Sequence, residues 1–129
     1  MIKVAAAIIE KDSLVLIAQR KRGAHLPLKW EFPGGKIEVG ETPAECLVRE
    51  IKEEFDIEIS IRGHFTNVQH DYGDKKIELL VYRAKYKSGV IKTFAHEQIK
   101  WVSKSDLLKY DLAAADIPVA IMLCGKISQ

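Results

Sequence analysis

Residues 35–57 read G-K-I-E-V-G-E-T-P-A-E-C-L-V-R-E-I-K-E-E-F-D-I, a glycine-led loop that runs into a helical pattern rich in carboxylates. Glu50, Glu53 and Glu54 are three and four residues apart, which brings them together on one side of an α-helix. Like charges at that spacing repel each other, so folding alone does not favour them. Hard divalent cations bind carboxylate oxygens and often bridge to phosphates, so the pattern predicts a metal site.

The sequence specifies this helix well. Thr42 and Glu45 have the spacing of a capping box, in which Thr42 is the N-cap. Apolar residues then recur at helical spacing and predict one buried stripe: Ala44, Leu47, Val48, Ile51 and Phe55. At 100° per residue Glu50 and Glu54 lie beside that stripe and Glu53 lies opposite it. We therefore expect the acids at the edge of the contact, where a cleft would form.

The whole stretch resembles the Nudix box, G-x5-E-x7-R-E-U-x-E-E-x-G-U with U aliphatic. The residues that match are Gly35, Glu41, Arg49, Glu50, Ile51, Glu53, Glu54 and Ile57. Asp56 departs from the pattern, because it occupies the place of the glycine that ends the helix. A left-handed backbone there costs Asp about 1 kcal/mol more than Gly. The departure affects helix termination and leaves the chemistry of the pattern intact.

Composition indicates an ordinary globular protein, with 129 residues, 47% hydrophobic and 29% charged. We expect one domain over residues 1–129. The net charge of +2 is too small to indicate a surface for a nucleic-acid polymer. No signal peptide or membrane span is visible, so a cytoplasmic protein without a membrane partner is expected. Cys46 and Cys124 lack metal-ligand spacing, and Cys46 is predicted to be a core thiol.

The order of elements predicts an α+β domain with helices covering a mixed sheet. Residues 2–10 and 14–20 form apolar runs around a hairpin turn, and strands this apolar are expected to be covered on both faces. Further strands are predicted at 58–63, 65–71, 77–86 and 99–102, with turns near Gly63 and Gly73. Short helices are expected at 105–110 and after Asp116. The α/β/α sandwich of the Nudix family, with its loop-helix box, agrees with this order.

The resemblance implies magnesium as the cofactor, with manganese as an alternative, held by the carboxylates of the box and one carbonyl. The implied ligands are Glu50, Glu54, Glu53 and the backbone carbonyl of Gly34. Arg49 is expected either to hold a neighbouring glutamate in place or to touch phosphate directly. Glu41 is expected to orient other groups.

The catalytic base is the open point of this assignment. Many enzymes of this type carry a glutamate on a later loop, often within a Glu-His-Glu run. Here Ala95-His96-Glu97 occupies that place, so Ala95 stands where the first glutamate would be. Glu97 is a candidate ligand or base if the loop shifts, and is otherwise an acid on a surface loop. His96 is expected to pack within the loop.

Residues 30–38, W-E-F-P-G-G-K-I-E, are similar to the MutT-type branch of the family, which removes pyrophosphate from nucleoside triphosphates such as oxidised dGTP. The resemblance places Arg20 and His25 at nucleotide contacts and Phe32 at the base pocket, unless Phe32 is a core aromatic. Lys75 stands where MutT-type enzymes carry an arginine, and it offers charge without a planar fork.

Asp116 stands where MutT-type enzymes have an asparagine, and the string Ala-Asp-Ile-Pro is similar to a CTP-cleaving relative instead. An ionised Asp only accepts hydrogen bonds, which suits guanine N1–H and the N2 amine. A protonated Asp also donates, which suits cytosine N3 together with N4. The alternative is that Asp116 N-caps the last helix.

Together with the predicted metal site, the resemblance implies a magnesium-dependent hydrolase that converts a nucleoside triphosphate to its monophosphate and pyrophosphate. Oxidised dGTP and CTP or modified dCTP are the expected substrates, and nucleotide-pool sanitation the expected role. Two alternatives stay open. One is a non-catalytic Nudix domain that binds nucleotide as a sensor. The other is a hydrolase of another nucleoside diphosphate derivative, such as ADP-ribose. A monomer or homodimer is expected.

Overall fold

The structure is a computed structural model that describes residues 1–125, and the predicted domain extends over four further residues, 126–129, that lie outside this part. Its strands in chain order are β1 (Ile2–Lys11), β2 (Leu14–Arg20), β3 (Trp30–Glu31), β4 (Gly34–Lys36), β5 (Glu58–Asp71), β6 (Lys76–Ser88) and β7 (His96–Ser103). Its α-helices are α1 (Pro43–Phe55) and α2 (Ile117–Leu123). Two 3-10 helices, Lys104–Lys109 and Ala114–Asp116, precede α2.

The strands form one mixed sheet in the order β3-β2-β1-β6-β5, with β4 paired to β1 and β7 paired to β2. β1 runs parallel to β6 and antiparallel to β2 and β4. Asp12 and Ser13 join β1 to β2 with positive φ angles of 52° and 67°, as a tight hairpin requires. The predicted hairpin is confirmed.

The apolar run of β1 is explained by burial on both faces of the sheet. Ala5, Ala7 and Ile9 pack in a cluster with α1, whereas Ala6 and Ile8 pack in a second cluster with α2. Successive side chains of a strand point to opposite faces, so an unbroken apolar run supplies both clusters at once. The result is the predicted α+β sandwich, with helices on both faces of a mixed sheet.

Helix α1 begins and ends as its sequence predicts. The Thr42 hydroxyl accepts from the Glu45 amide at 3.1 Å, and the Glu45 carboxylate accepts from the Thr42 amide at 2.9 Å. Asp56 adopts the left-handed conformation, with φ 57° and ψ 38°. Lys52 and Lys92 lie 3.1 and 3.3 Å from its carboxylate, which partly offsets the cost of the missing glycine.

Three local predictions are corrected. Val48 is 42% exposed, and the buried face of α1 is Cys46, Leu47, Ile51 and Phe55. Residues 58–71 form one strand, because register shifts around Gly63 absorb extra residues as bulges while pairing with β6 continues. The last strand, β7, begins at His96 instead of 99, because its pairing with β2 extends to Arg20. The short helix predicted at 105–110 is the 3-10 helix Lys104–Lys109, and the predicted start of α2 is confirmed.

Within residues 1–125, no helix is both long enough and apolar enough to cross a membrane.

Candidate active site

A cavity of about 460 Å³ opens where β1, β3, β4 and α1 meet the loop after β2 and the segment before α2. Most of the residues singled out in the sequence line it: Arg20, His25, Phe32, Gly34, Glu50, Glu54, Lys75 and Asp116. They come from distant parts of the chain. The fold therefore brings together side chains that the sequence indicated only as separate candidates. Arg49, Glu53 and Glu97 do not line the cavity.

Carboxylates occupy one end of the cavity. Glu50 lies so close to the backbone that a Cβ on Gly35 would be 2.4 Å from its carboxyl group. At Gly34 a Cβ would be 1.9 Å from the Ala5 carbonyl oxygen, because β4 pairs closely with β1. Both glycines are therefore required by close approach, and the β4 backbone at Gly35 lies directly against the Glu50 carboxyl group.

The charges at this end are poorly compensated. Burial, followed by the carboxylates of Glu50 and Glu31, raises the pKa of Glu54 to about 8. Burial also raises the pKa of Glu50, which Arg49 partly opposes. Glu54 Oε1 is buried and has no hydrogen-bond partner in the part of the chain that the structure describes. A buried carboxylate oxygen without a partner is a place where a cation would be strongly favoured.

Arg49 is engaged by carboxylates instead of facing the cavity. Its Nε and Nη2 donate to Glu41 at 2.6 and 3.0 Å, and this pair lowers the pKa of Glu41 to about 2. Its Nη1 donates to Glu53 Oε1 at 3.2 Å and lies 3.5 Å from Glu50 Oε1. Of the two interpretations of Arg49, the contacts support the one in which it holds neighbouring glutamates.

The oxygen donors at the carboxylate end of the cavity suit a hard divalent cation, although they do not already stand in coordinating positions. In residues 1–125 no three His, Cys, Asp or Glu side chains already stand at chelating positions. Glu53 has a side chain that is 59% exposed and turned to Arg49, which accounts for the open arrangement. The partnerless Glu54 oxygen, the half-buried Glu50 and the adjacent backbone of Gly34 provide oxygen donors of the kind that magnesium binds.

The middle of the cavity is built around Glu31. Its Oε1 accepts from Arg20 Nη1 at 3.0 Å, and its Oε2 lies 2.9 Å from His96 Nε2. The His96 ring stacks on Phe55 of α1, with ring centroids 5.1 Å apart. The sequence predicts that His96 packs within a loop; instead it belongs to strand β7, packs in the interior and reaches the cavity wall.

The opposite end of the cavity carries Asp116. This residue is only 6% exposed, and its Oδ1 accepts from the Phe32 amide at 3.3 Å. Its side chain makes no capping hydrogen bond to α2, so the N-cap alternative is not supported. Burial, followed by the charge of Glu31, raises the pKa of Asp116 well above its ordinary value.

Aromatic residues complete this end. Phe32 is 3% exposed and belongs to a core cluster, and its surface also lines the cavity, so its role at a base pocket stays a prediction. Tyr72 lines the wall, and its hydroxyl accepts from the Ala115 amide at 2.9 Å. The His25 ring meets Tyr72 edge-on at 6.1 Å between centroids.

Comparison with known proteins decides the family. A protein-family model described as "NUDIX domain" matches residues 4–120. The chain belongs to the Nudix family. The CTP pyrophosphohydrolase of Escherichia coli (strain K12) is 37% identical over 119 residues, which cover 92% of this chain and 88% of that protein. The 8-oxo-dGTP diphosphatase of the same strain is 32% identical over 123 residues, 95% of each chain.

Solved structures agree with this assignment. The solution structure of the E. coli ORF135 protein has a TM-score of 0.86 and 34% identity, and covers 100% of this chain and 93% of that one. The crystal structure of the MutT NUDIX hydrolase from Burkholderia pseudomallei has a TM-score of 0.83 and 28% identity, over 95% and 96% of the two chains. This Nudix protein is therefore a MutT-like hydrolase, and Nudix hydrolases in general use divalent metal ions.

The geometry of this Nudix cavity changes the interpretation of Glu97. In the pairing of β2 with β7, Gln19 faces Gln98 and Arg20 faces His96, so Glu97 is the extra residue of a β-bulge. Its carboxylate is turned outward and accepts from the Arg22 amide at 3.3 Å. Ala95 lines the cavity without a carboxyl group. The structure places Glu97 outside the cavity.

Glu31 and Tyr72 are among the cavity residues that the sequence did not indicate. Glu31 stands between two buried aromatics, Trp30 and Phe32. An acid in that position could have been recognised in the sequence as a candidate cavity residue. Tyr72 follows β5 at the hairpin to β6, where nothing in the local pattern distinguishes it from a turn residue.

Proposed function

We propose that this Nudix hydrolase is a magnesium-dependent pyrophosphohydrolase that converts a nucleoside triphosphate and water to the nucleoside monophosphate and pyrophosphate. The observation that supports it is a single cavity with carboxylates at one end, Asp116 and aromatics at the other, and basic side chains in its lining. A triphosphate needs cations at its phosphate end and hydrogen-bonding groups at its base. The cavity offers both within one space.

The metal end would be formed by Glu50, Glu53, Glu54 and the carbonyl of Gly34, with magnesium as the ion and manganese as an alternative. When bound, the cation neutralises phosphate charge and aligns the phosphates for attack by water. Arg49 would hold Glu41 and Glu53 in place through the contacts it already makes. Glu54 Oε1, which no protein group in residues 1–125 engages, would be available to the cation.

Three basic side chains along the cavity would contact the nucleotide: Arg20, His25 and Lys75. Arg20 presents a planar fork that matches phosphate or base edges, whereas Lys75 supplies a point charge. Phe32 and Tyr72 would bound the space for the base. These roles are consistent with a free nucleotide as the partner, in place of a nucleic-acid polymer.

Asp116 would read the base, which leaves two substrate classes. The relatives are named for CTP and for 8-oxo-dGTP, so CTP or modified dCTP and oxidised dGTP are the candidates. A neutral Asp116 donates and accepts one hydrogen bond each, as cytosine N3 and N4 require. An ionised Asp116 suits the two donors of guanine. Either substrate fits a role in nucleotide-pool sanitation in the cytoplasm.

The test is an assay of the purified protein with magnesium against CTP, dCTP, 5-methyl-dCTP, dGTP, oxidised dGTP and ADP-ribose, with products separated and identified. A monophosphate and pyrophosphate from one or two triphosphates would support the proposal. Cleavage of ADP-ribose alone would replace it with another Nudix reaction. Nucleotide binding without turnover, with magnesium or manganese, would indicate the sensor alternative.

Glu54→Gln tests the metal end separately. It should lower kcat at least about 100-fold, because it removes a charge that faces the cation and the attacking water. Nucleotide affinity, measured by titration calorimetry, should change far less. Glu45→Gln, on the same helix but outside the cavity, is the matched control and should keep wild-type turnover. Equal kcat for Glu54→Gln and the control would contradict the assignment.

A further inference from the structure

Three side chains from three different strands form one connected group in the middle of the cavity. Arg20 ends β2, Glu31 ends β3, and His96 begins β7. One carboxylate oxygen of Glu31 accepts from Arg20 Nη1 at 3.0 Å, and the other lies 2.9 Å from His96 Nε2. Each oxygen of Glu31 is thus engaged by a different partner, so the carboxylate cannot rotate without breaking both contacts.

His96 is the rigid member of this group. Its side chain is 5% exposed, and its ring lies nearly parallel to that of Phe55, with an interplanar angle of 16° and centroids 5.1 Å apart. Phe55 is the last residue of α1 and is fully buried in the core. The imidazole is therefore held by packing, and it holds Glu31 in turn. Arg20 has a side chain that is 27% exposed and reaches the cavity.

The surroundings also assign the tautomer of His96. Its Nδ1 is buried and has no hydrogen-bond partner within residues 1–125, while its Nε2 faces the Glu31 carboxylate. A proton on Nδ1 would be a buried donor without an acceptor, which is unfavourable. A proton on Nε2, by contrast, forms a hydrogen bond to the Glu31 carboxylate. The contacts therefore assign the neutral Nε2–H form, in which His96 is a hydrogen-bond donor to Glu31.

We propose that His96 is a positioning residue of the hydrolase: through Glu31 it holds the Nη1 end of the Arg20 guanidinium, whose Nε donates separately to the His25 backbone carbonyl. The inference rests on the proposed function in one respect, namely that Arg20 contacts the nucleotide. His96 itself does not touch the substrate in this scheme, because its Nε2 is occupied by Glu31 and its side chain is only 5% exposed at the cavity wall. Its effect reaches the nucleotide only through the orientation of the Arg20 fork.

Two substitutions separate positioning from packing. His96→Phe keeps a ring to stack on Phe55 and removes the donor, whereas His96→Gln keeps a donor and loses the stack. We expect His96→Phe to raise KM about tenfold for the triphosphate turned over fastest, the size expected for a lost hydrogen bond to a charged group. Its kcat should stay within about threefold of wild type, and His96→Gln should recover most of the affinity. Lys87→Gln, on the exposed end of β6, serves as the control.

A double-mutant comparison tests whether the effect of His96 on KM passes through Arg20. If His96 acts through Arg20, then His96→Phe should raise KM no further in an Arg20→Ala background. An equal penalty in both backgrounds would overturn the proposal, and so would a wild-type KM for His96→Phe.

A readout that needs no turnover distinguishes failure of this inference from failure of the proposed function. Nitrogen-15 NMR of the wild-type protein should show Nε2 of His96 protonated and Nδ1 unprotonated, with the Arg20 guanidinium resonances resolved by slow rotation. In His96→Phe the Arg20 resonances should average. A proton on Nδ1, or unchanged Arg20 resonances in His96→Phe, would refute the positioning role even if the enzyme cleaves triphosphates.

Discussion

At the scale of single residues, Asp116 has the surroundings that bear most directly on the substrate. It is 6% exposed, and burial and the charge of Glu31 raise its pKa well above the ordinary value. The folded state therefore binds this proton more tightly than the unfolded state does. It follows that the contribution of Asp116 to stability is greatest at low pH and decreases as the pH rises through the raised pKa.

The same titration should change base preference. As the pH rises through the pKa of Asp116, the donor is lost, so the ratio of kcat/KM for CTP to that for oxidised dGTP should fall. The ratio is the quantity to measure, because titration at the phosphate end affects both substrates alike. Asp116→Asn, which cannot ionise, should make the ratio independent of pH. A ratio that still falls in Asp116→Asn would show that another group reads the base.

At the scale of elements, the end of α1 shows how a departure from the family pattern is accommodated. Asp56 takes the left-handed conformation that the pattern reserves for glycine, and Lys52 and Lys92 pair with its carboxylate. Both pairs are largely exposed, so each contributes little. The backbone conformation and the ion pairs therefore act in opposite directions on stability.

A matched pair of substitutions separates these two effects. Asp56→Gly and Asp56→Ala both remove the carboxylate, but only glycine adopts the left-handed conformation without cost. We expect Asp56→Gly to be more stable than Asp56→Ala by about 1 kcal/mol in chemical denaturation. Equal stabilities would mean that the helix end rearranges in one of the two variants.

Strand β7 gives a second prediction at this scale, because its bulge decides which side chains face the cavity. His96 points inward opposite Arg20, and Glu97 is turned out toward the Arg22 amide. We expect Glu97→Gln to keep kcat/KM within about twofold of wild type, as is typical of a surface substitution. A loss comparable to that of Glu54→Gln would mean that the segment 94–98 rearranges to bring Glu97 to the substrate.

At the scale of the whole molecule, one sheet separates two apolar clusters, and we propose that they unfold together as one domain. Trp30 belongs to the cluster on the α2 side, and Trp101 packs against the cluster on the α1 side. Alternate residues of β1 contribute to both clusters, so one cannot be lost while the other stays intact.

The two tryptophans make this proposal measurable. In Trp30→Phe the fluorescence reports the α1 side, and in Trp101→Phe it reports the α2 side. Within each variant, the fluorescence melt should coincide with the far-UV circular dichroism melt, as expected for a small cooperative domain. A fluorescence transition that clearly precedes the loss of secondary structure in either variant would indicate that one layer of the sandwich unfolds separately.

The local sequence determined the family box, the capping box of α1 and the two-sided burial of β1. These features depend on periodicity and on short spacing, which the chain carries wherever it is folded. The family resemblance indicated the candidates Arg20, Phe32 and Asp116, and the fold brings all three to one cavity.

Only the tertiary structure decided how the middle of the cavity is connected. Glu31 and His96 are 65 positions apart, and their contact depends on the bulge in the pairing of β2 with β7. A shift of one residue in a strand turns every later side chain to the other face, so the bulge exchanges Glu97 for His96 at the cavity wall. The register of strand pairing is set by the packing of the whole sheet, and for that reason the segment 94–98 could not reveal it alone.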